Sequence, residues 1–266
     1  MKFNSPIVID SKPDYTRAGL SSGDVPMVVF PTNSISLKAP MGIDGIVTDW
    51  DSMTAVLSHT FKQLCIDPSQ HLILMTEPPL NPKANREKMT KIFFETFNVP
   101  GLYLTQGEIL ALYDAGNIIG TVVNFGANSH FVVVVPSYEG EPYLNAIIER
   151  YFDSNNLSDQ DIADISKMVY HSITKCDCDV RSTLYRNIIL TGSSSMFPGI
   201  ATKIRKRLAL LASPTDTVRV IEVAEPENGA WRGADKIAPL LSEYGSWMTK
   251  QEYGHFGARL VHRKCF

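Results

Sequence analysis

Residues 76–96, TEPPLNPKANREKMTKIFFET, decide the reading of the fold. They follow the apolar run 72–75 (LILM), which is strand-like, and pass into a helical pattern. Asn85 is placed to cap that helix, with Met89, Ile92, Phe93 and Phe97 on its inner face. Upstream, residues 6–10 (PIVID) and 27–30 read as strands. Met53, Val56, Leu57, Thr60, Phe61 and Leu64 recur at helical spacing across residues 51–64. Downstream comes a helix over 108–113. Two strands, 118–125 and 130–135, then flank a tight turn at Gly126-Ala127-Asn128.

Ser158 and Asp161 form a capping-box pattern before Ile162, Ile165, Val169 and Ile173. Residues 187–190 and 218–221 are strand-like. Pro198 sits where a helix tolerates proline, ahead of Ile200, Ile204, Leu208 and Leu211, and a last helix covers 234–241. Strands alternating with helices give an α/β architecture. Each half opens with an apolar strand, ending in Asp10 or in Asn124, then a polar turn and another strand. That echo fits two related lobes facing a cleft.

With 266 residues, 44% hydrophobic and 20% charged, the chain has material for one large domain or two small ones. A net charge of -3 offers no basic excess for nucleic acid or an anionic membrane. No apolar run approaches the ~20 residues of a membrane span, and the first residues lack a signal-peptide core; a cytoplasmic protein is expected. Cys176 and Cys178 read as unrelated thiols, since a lone C-x-C lacks the paired spacing of a zinc site. Cys265, next to last, is expected to be accessible. The histidines show no ligand spacing. Arg205, Lys206 and Arg207 read as an exposed helix face, and Glu225 and Glu227 as a solvated loop.

Residues 76–96 closely resemble actin. So do 45–51 (GIVTDWD), 138–140 (YEG), 175–185 (KCDCDVRSTLY), 191–200 (TGSSSMFPGI), 250–253 (KQEY) and 261–266 (VHRKCF). The matches are collinear, and the chain is identified as a divergent, shortened member of the actin family. The resemblance implies the α/β actin-like ATPase fold, built on ribonuclease-H-like lobes. One lobe, like subdomain 1, takes residues 1–115 and 230–266; the other, like subdomain 3, takes 116–229. The tail from about Trp231 returns to the first lobe. Residues 32–44 stand where actin has most of subdomain 2, including the loop that inserts into the next filament subunit. A single helix between 146 and 172 stands where actin has most of subdomain 4. Both outer subdomains are therefore expected to be reduced or absent.

The resemblance also implies a site for ATP and a divalent metal, in altered form. Asp10 matches the family's aspartate, and Arg17-Ala18-Gly19 resembles the Lys-Ala-Gly that follows. Ser11-Lys12-Pro13-Asp14 replaces the Gly-Ser-Gly turn between them. Pro13 has no N–H to give, Asp14 brings negative charge where phosphate belongs, and Lys12 compensates only if it folds inward. Asn124-Phe125-Gly126-Ala127-Asn128 replaces Asp-Ser-Gly-Asp-Gly, so two acids that organise the hydrated metal are lost. Gly107 aligns with the water-positioning glutamine. Gln106 is one place earlier, about 100° away on a helix. Gly192, Met196 and Phe197 resemble the purine-side residues, with Ser193 for a second glycine and Glu227 for a lysine.

The vestigial nucleotide set is thus Asp10, Lys12, Arg17, Gly126, Gly192, Ser193, Met196 and Phe197, residues that equally serve to keep the fold. No catalytic or metal-ligating residue is assigned, and the cofactor expected is ATP with Mg2+ held weakly, or none. Tyr113, Ala115, Gly116, Tyr138, Ile237, Leu240 and Ser242 match positions around the family's apolar partner groove, where Ser246 replaces a methionine. The function implied is a cytoskeletal or scaffold protein that binds itself, another actin-like protein, or groove-binding partners. The alternative is a slow ATPase that still binds Mg-ATP between its lobes.

Overall fold

The computed structural model describes residues 4–23, 25–126, 130–135, 143–148 and 158–265. The chain divides into two compact units, Met1–Gly107 with Ala230–Phe266, and Glu108–Gly229. The helix expected over 108–113, grouped above with the first lobe, falls in the second unit.

The first unit is built on a sheet from β1 (Asn4–Ser11), β2 (Tyr15–Leu20), β3 (Val28–Pro31), β4 (His71–Glu77), β5 (Gly101–Gln106) and a short tail strand β6 (Met248–Thr249). Its order is β6-β5-β4-β1-β2-β3. β1 pairs antiparallel with β2 and parallel with β4. Ile7, Val8 and Ile9 are all fully buried rather than alternating, because the central strands are covered on both faces. α1 (Trp50–Leu64) lays Met53, Val56, Leu57, Phe61 and Leu64 against the core, packing on β2 and β3. Asp49 caps it by accepting from the Ser52 N–H at 2.8 Å, and Cys65 ends it in the left-handed region.

α2 (Lys83–Lys91) begins after Pro82 and runs on into a π-helical turn over Ile92–Thr96. Asn85 is therefore inside the helix and caps nothing; its Nδ2 donates to the Val47 carbonyl instead. The tail joins this unit through β6 on β5 and through α7 (Gly229–Glu243), α8 (Lys250–Phe256) and α9 (Val261–Lys264). Arg86, held bidentately by Glu77, donates to the Cys265 carbonyl at 3.0 Å. Cys265 is consequently buried, and burial pushes its thiol up to about 11. The accessible thiol expected from its place near the chain end is corrected by this docking.

The second unit repeats the plan. Here α3 (Gly107–Asp114), all but its first residue, precedes the strands β7 (Gly120–Phe125), β8 (His130–Val135), β9 (Tyr143–Ile148), β10 (Ile188–Thr191) and β11 (Val220–Glu222). Their order is β11-β10-β7-β8-β9. β7 pairs antiparallel with β8 and parallel with β10, as β1 does with β2 and β4. Val123, Phe125, Val132 and Val134 face α4 (Asp159–Thr174) and α6 (Ile200–Leu211), while Val122, Val133 and Ile189 face α3. α4 carries the expected capping box, and α5 (Cys178–Arg186) leads into β10. Pro198 lies before the Gly199 cap of α6 rather than in its first turn, and Leu211 at the helix end is 38% exposed. Ala127 and Asn128 of the expected turn lie outside the described residues. Among the described residues no helix is long and apolar enough to cross a membrane.

Candidate functional site

In an open α/β sheet the carboxyl ends of the parallel strands carry the groups able to meet a ligand. In the first unit these ends present Asp10, Thr76 and Gln106. Asp10 is fully buried. Its Oδ1 accepts from the Thr76 hydroxyl at 2.8 Å. Its Oδ2 accepts no hydrogen bond and faces Lys12 Nζ at 3.6 Å. Lys12 thus folds inward, as compensation at this loop requires. Arg17 stands opposite Asp10 in the β1–β2 register, with its guanidinium 5.7 Å from the Tyr15 ring centre.

The loop after Asp10 is a closed hairpin. Lys12 N–H donates to the Tyr15 carbonyl at 3.1 Å. Tyr15 N–H donates to Asp14 Oδ1 at 2.8 Å, so that carboxylate caps its own turn. Pro13 has no N–H. A largely buried hydroxyl chain pins the hairpin to Thr32, the residue after β3: Ser11 to Thr16, Thr16 to Thr32, and Thr32 to the Lys12 carbonyl at 2.6 Å. Thr16 and Thr32 were not singled out in the sequence, where Thr32 fell in the connection after the strand expected at 27–30. A phosphate cradle requires successive amides converging on the anion, and this hairpin offers no such run. An ammonium also stands against the carboxylate oxygen that a hydrated cation would use. The first unit's residues do not fit a Mg-ATP complex.

In the second unit Asn124 holds the place that Asp10 holds in the first. Its Nδ2 donates to Glu108 Oε1 at 2.7 Å, both side chains being buried. A carboxylate is therefore present beside this strand end after all, supplied by α3. The sequence reading counted acids only within the loop and missed it. Asn124 Oδ1 has no hydrogen-bond partner. It lies beside Gly192, whose φ of +86° and closeness to the Phe125 carbonyl exclude a side chain. Gly192 N–H and Thr191 Oγ1 both donate to the Pro226 carbonyl. Ser193 is exposed, and Met196 and Phe197 are 65% and 37% exposed. Gly126 is half-buried.

Glu227 Oε2 is buried without a hydrogen-bond partner, which corrects the solvated-loop reading for this residue. Gln106 ends β5 rather than standing on a helix, and its Oε1 is likewise buried without a partner. Among the described residues no group of three or more His, Cys, Asp or Glu is placed to hold a metal.

The expected groove residues divide between the units. Tyr113 and Ala115, both half-buried, and Gly116, with φ +76°, belong to the second unit. Tyr138 lies outside the described residues. Ile237, Leu240 and Ser242 belong to the first unit, on α7. That helix buries Trp231, Ala234, Ala238 and Leu241, and leaves Ile237 half-buried and Leu240 48% exposed. Tyr244, one turn beyond Leu240 and not anticipated, extends the stripe at 76% exposure. Ser242 is engaged, accepting from Trp247 Nε1 at 3.0 Å.

The protein-family model described as Actin matches residues 32–161 and 144–266. Asp10, Lys12 and Arg17 precede the matched region. The residues around Gly126 and Gly192, and those of α7, lie within it.

Proposed function

The chain belongs to the actin family and has its α/β fold, and from that premise we propose that it acts as a cytoplasmic cytoskeletal or scaffold protein through partner binding, without a tight Mg-ATP complex. The observation that carries this reading is the closed hairpin after Asp10, with the Lys12 and Tyr15 amides engaged and the lysine turned onto the aspartate. Each lost electrostatic contact of this kind typically raises a barrier by ~2.7–4 kcal/mol, so ATP turnover falls below ordinary detection. Equilibrium titration of the purified chain with Mg-ATP is expected to give no saturable micromolar binding. Tight binding abolished by Asp10→Ala would refute the reading.

Half-buried Ile237 with exposed Leu240 and Tyr244 supports α7 and its C-terminal end as part of the partner surface, since exposed apolar side chains grouped on one surface mark docking sites. The partner is a second copy, another actin-like protein, or a protein of the kind that binds the family's groove. Residues 32–49 hold one short 3-10 turn and an isolated bridge, Met41 to Val47, with no further regular element. We take this connection as the reduced counterpart of subdomain 2. A surface that keeps the groove and lacks the inserting loop does not propagate head to tail, so no filament of actin geometry is expected from this chain alone. Sedimentation with electron microscopy checks that point. For the groove, Leu240→Asp is expected to abolish partner binding with Tm unchanged.

The slow-ATPase reading draws its support from Glu108, which returns a carboxylate to the Asn124 strand end. The Mg-ATP titration decides between the two.

A further inference from the structure

We propose that Lys12 is a built-in counter-cation for Asp10, a tethered ammonium that holds the first unit's strand end in its folded form with no divalent cation or nucleotide. The inference deepens the reading above, on which no tight Mg-ATP complex forms. Asp10 sits on the central strand with nothing exposed. An ionised carboxylate there requires both hydrogen bonds and an opposite charge. Thr76 serves Oδ1, while Oδ2 accepts no hydrogen bond and has Lys12 Nζ at 3.6 Å. Lys12 follows Asp10 by two residues, so both side chains leave β1 and its extension on one face. Its backbone is fixed from both sides, the N–H by Tyr15 and the carbonyl by Thr32. The flexible stem of lysine then delivers a compact point charge from a short, anchored tether. A free cation competing for Oδ2 meets a resident charge whose effective concentration is set by that tether. Lys12 acts as a positioning residue: it keeps Asp10 bonded to Thr76 and buried.

The test is a double-mutant cycle read by thermal unfolding of the full chain, in EDTA and in millimolar MgCl2 or CaCl2, without nucleotide. Wild-type Tm is expected to be the same in all three. Lys12→Met lowers Tm in EDTA by about 4–8 °C, and CaCl2 recovers part of that loss by binding the carboxylate left without its ammonium. Placing Asp10→Asn in the Lys12→Met background removes both the loss and the cation response. Lys12→Arg, which keeps the charge, stays cation-independent. A Lys12→Met chain as stable as wild type, or a loss that persists undiminished with Asp10→Asn, overturns the proposal. If Lys12→Met yields no soluble protein, recovery of solubility by Asp10→Asn supports the pair; failure of the double variant, with Asp10→Asn alone soluble, overturns it. Tight Mg-ATP binding by wild type would sink the proposed function but leave this cycle, run without nucleotide, as an independent reading of the Lys12–Asp10 pair.

Discussion

In the first unit the strand end carries the carboxyl group and the following loop answers it; in the second the strand end is an amide and a helix brings the carboxyl group. The two positions correspond by topology. Ile9 pairs with Met75 as Val123 pairs with Leu190, which makes Asp10 the counterpart of Asn124, Thr76 of Thr191, and Glu77 of Gly192. Asp10 faces a lysine and accepts from a threonine, whereas Asn124 donates to Glu108. Glu77 is held bidentately by Arg86, whereas Gly192 lets Asn124 and the Phe125 carbonyl close in on its backbone. One fold has thus closed the same kind of strand end in two ways, each by side chains of the chain itself. A buried polar group needs a partner of complementary character, and the fold does not dictate which element provides it.

The substitution expected to disturb this comparison most is Gly192→Ala. A Cβ there would lie 2.3 Å from the Phe125 carbonyl oxygen and 2.6 Å from Asn124 Oδ1, at a φ of +86°. Backbone strain and displacement of β7 together are expected to cost about 4 kcal/mol in denaturant unfolding. Gly107→Ala is the control: its Cβ would first meet Ala230 at an ordinary 3.4 Å, and it begins a helix, so a change within about 1 kcal/mol is expected. Equal losses at the two glycines would mean that the Gly192 approach is not what fixes Asn124. Next in size is Glu108→Ala, which leaves the Asn124 amide without its acceptor and is expected to destabilise by about 3 kcal/mol. Glu108→Gln keeps an acceptor and should lose less than half of that. If Gln and Ala cost the same, the carboxylate charge rather than the hydrogen bond is what Asn124 needs.

The fold was largely legible in the sequence because helical spacing at 51–64 and 162–173, and apolar runs at 72–75 and 188–190, report burial directly. The echo between the halves was visible too, since Asp10 and Asn124 each end an apolar run. What could not be read was which side chains would meet. Lys12 was seen as compensating only on one condition, and the hairpin that meets it depends on Thr32, twenty residues away in sequence. Glu108 belongs to a helix whose relation to Asn124 appears only when the sheet is assembled. Asn85 shows the opposite failure: a good capping residue was overridden because the helix had already started after Pro82. Cys265 was misjudged because proximity to the chain end was weighed without Arg86.

The smallest expected effects come from a matched pair that probes the charge difference between the halves. Thr76→Val removes the hydroxyl donating to Asp10 Oδ1, an acceptor that is buried and paired with an ammonium. Hydrogen bonds to charged groups contribute about 1.5–3 kcal/mol, so a loss near 2 kcal/mol is expected. Thr191→Val removes the hydroxyl donating at 2.8 Å to the Pro226 carbonyl. That carbonyl is a neutral acceptor, and it keeps a second donor, the Gly192 N–H at 3.2 Å. No buried acceptor is left bare by the change, and valine fills the same volume as threonine. The loss should therefore be about 1 kcal/mol or less. The informative quantity is the difference between the two, measured by chemical unfolding of each single variant and again with Asp10→Asn present. If the charge on Asp10 is what separates the halves, the gap closes in the Asn background, because Thr76 then donates to a neutral amide oxygen. Should the gap stay open there, it comes from packing around β4, and the contrast between a charged and a neutral strand end would carry no energetic weight.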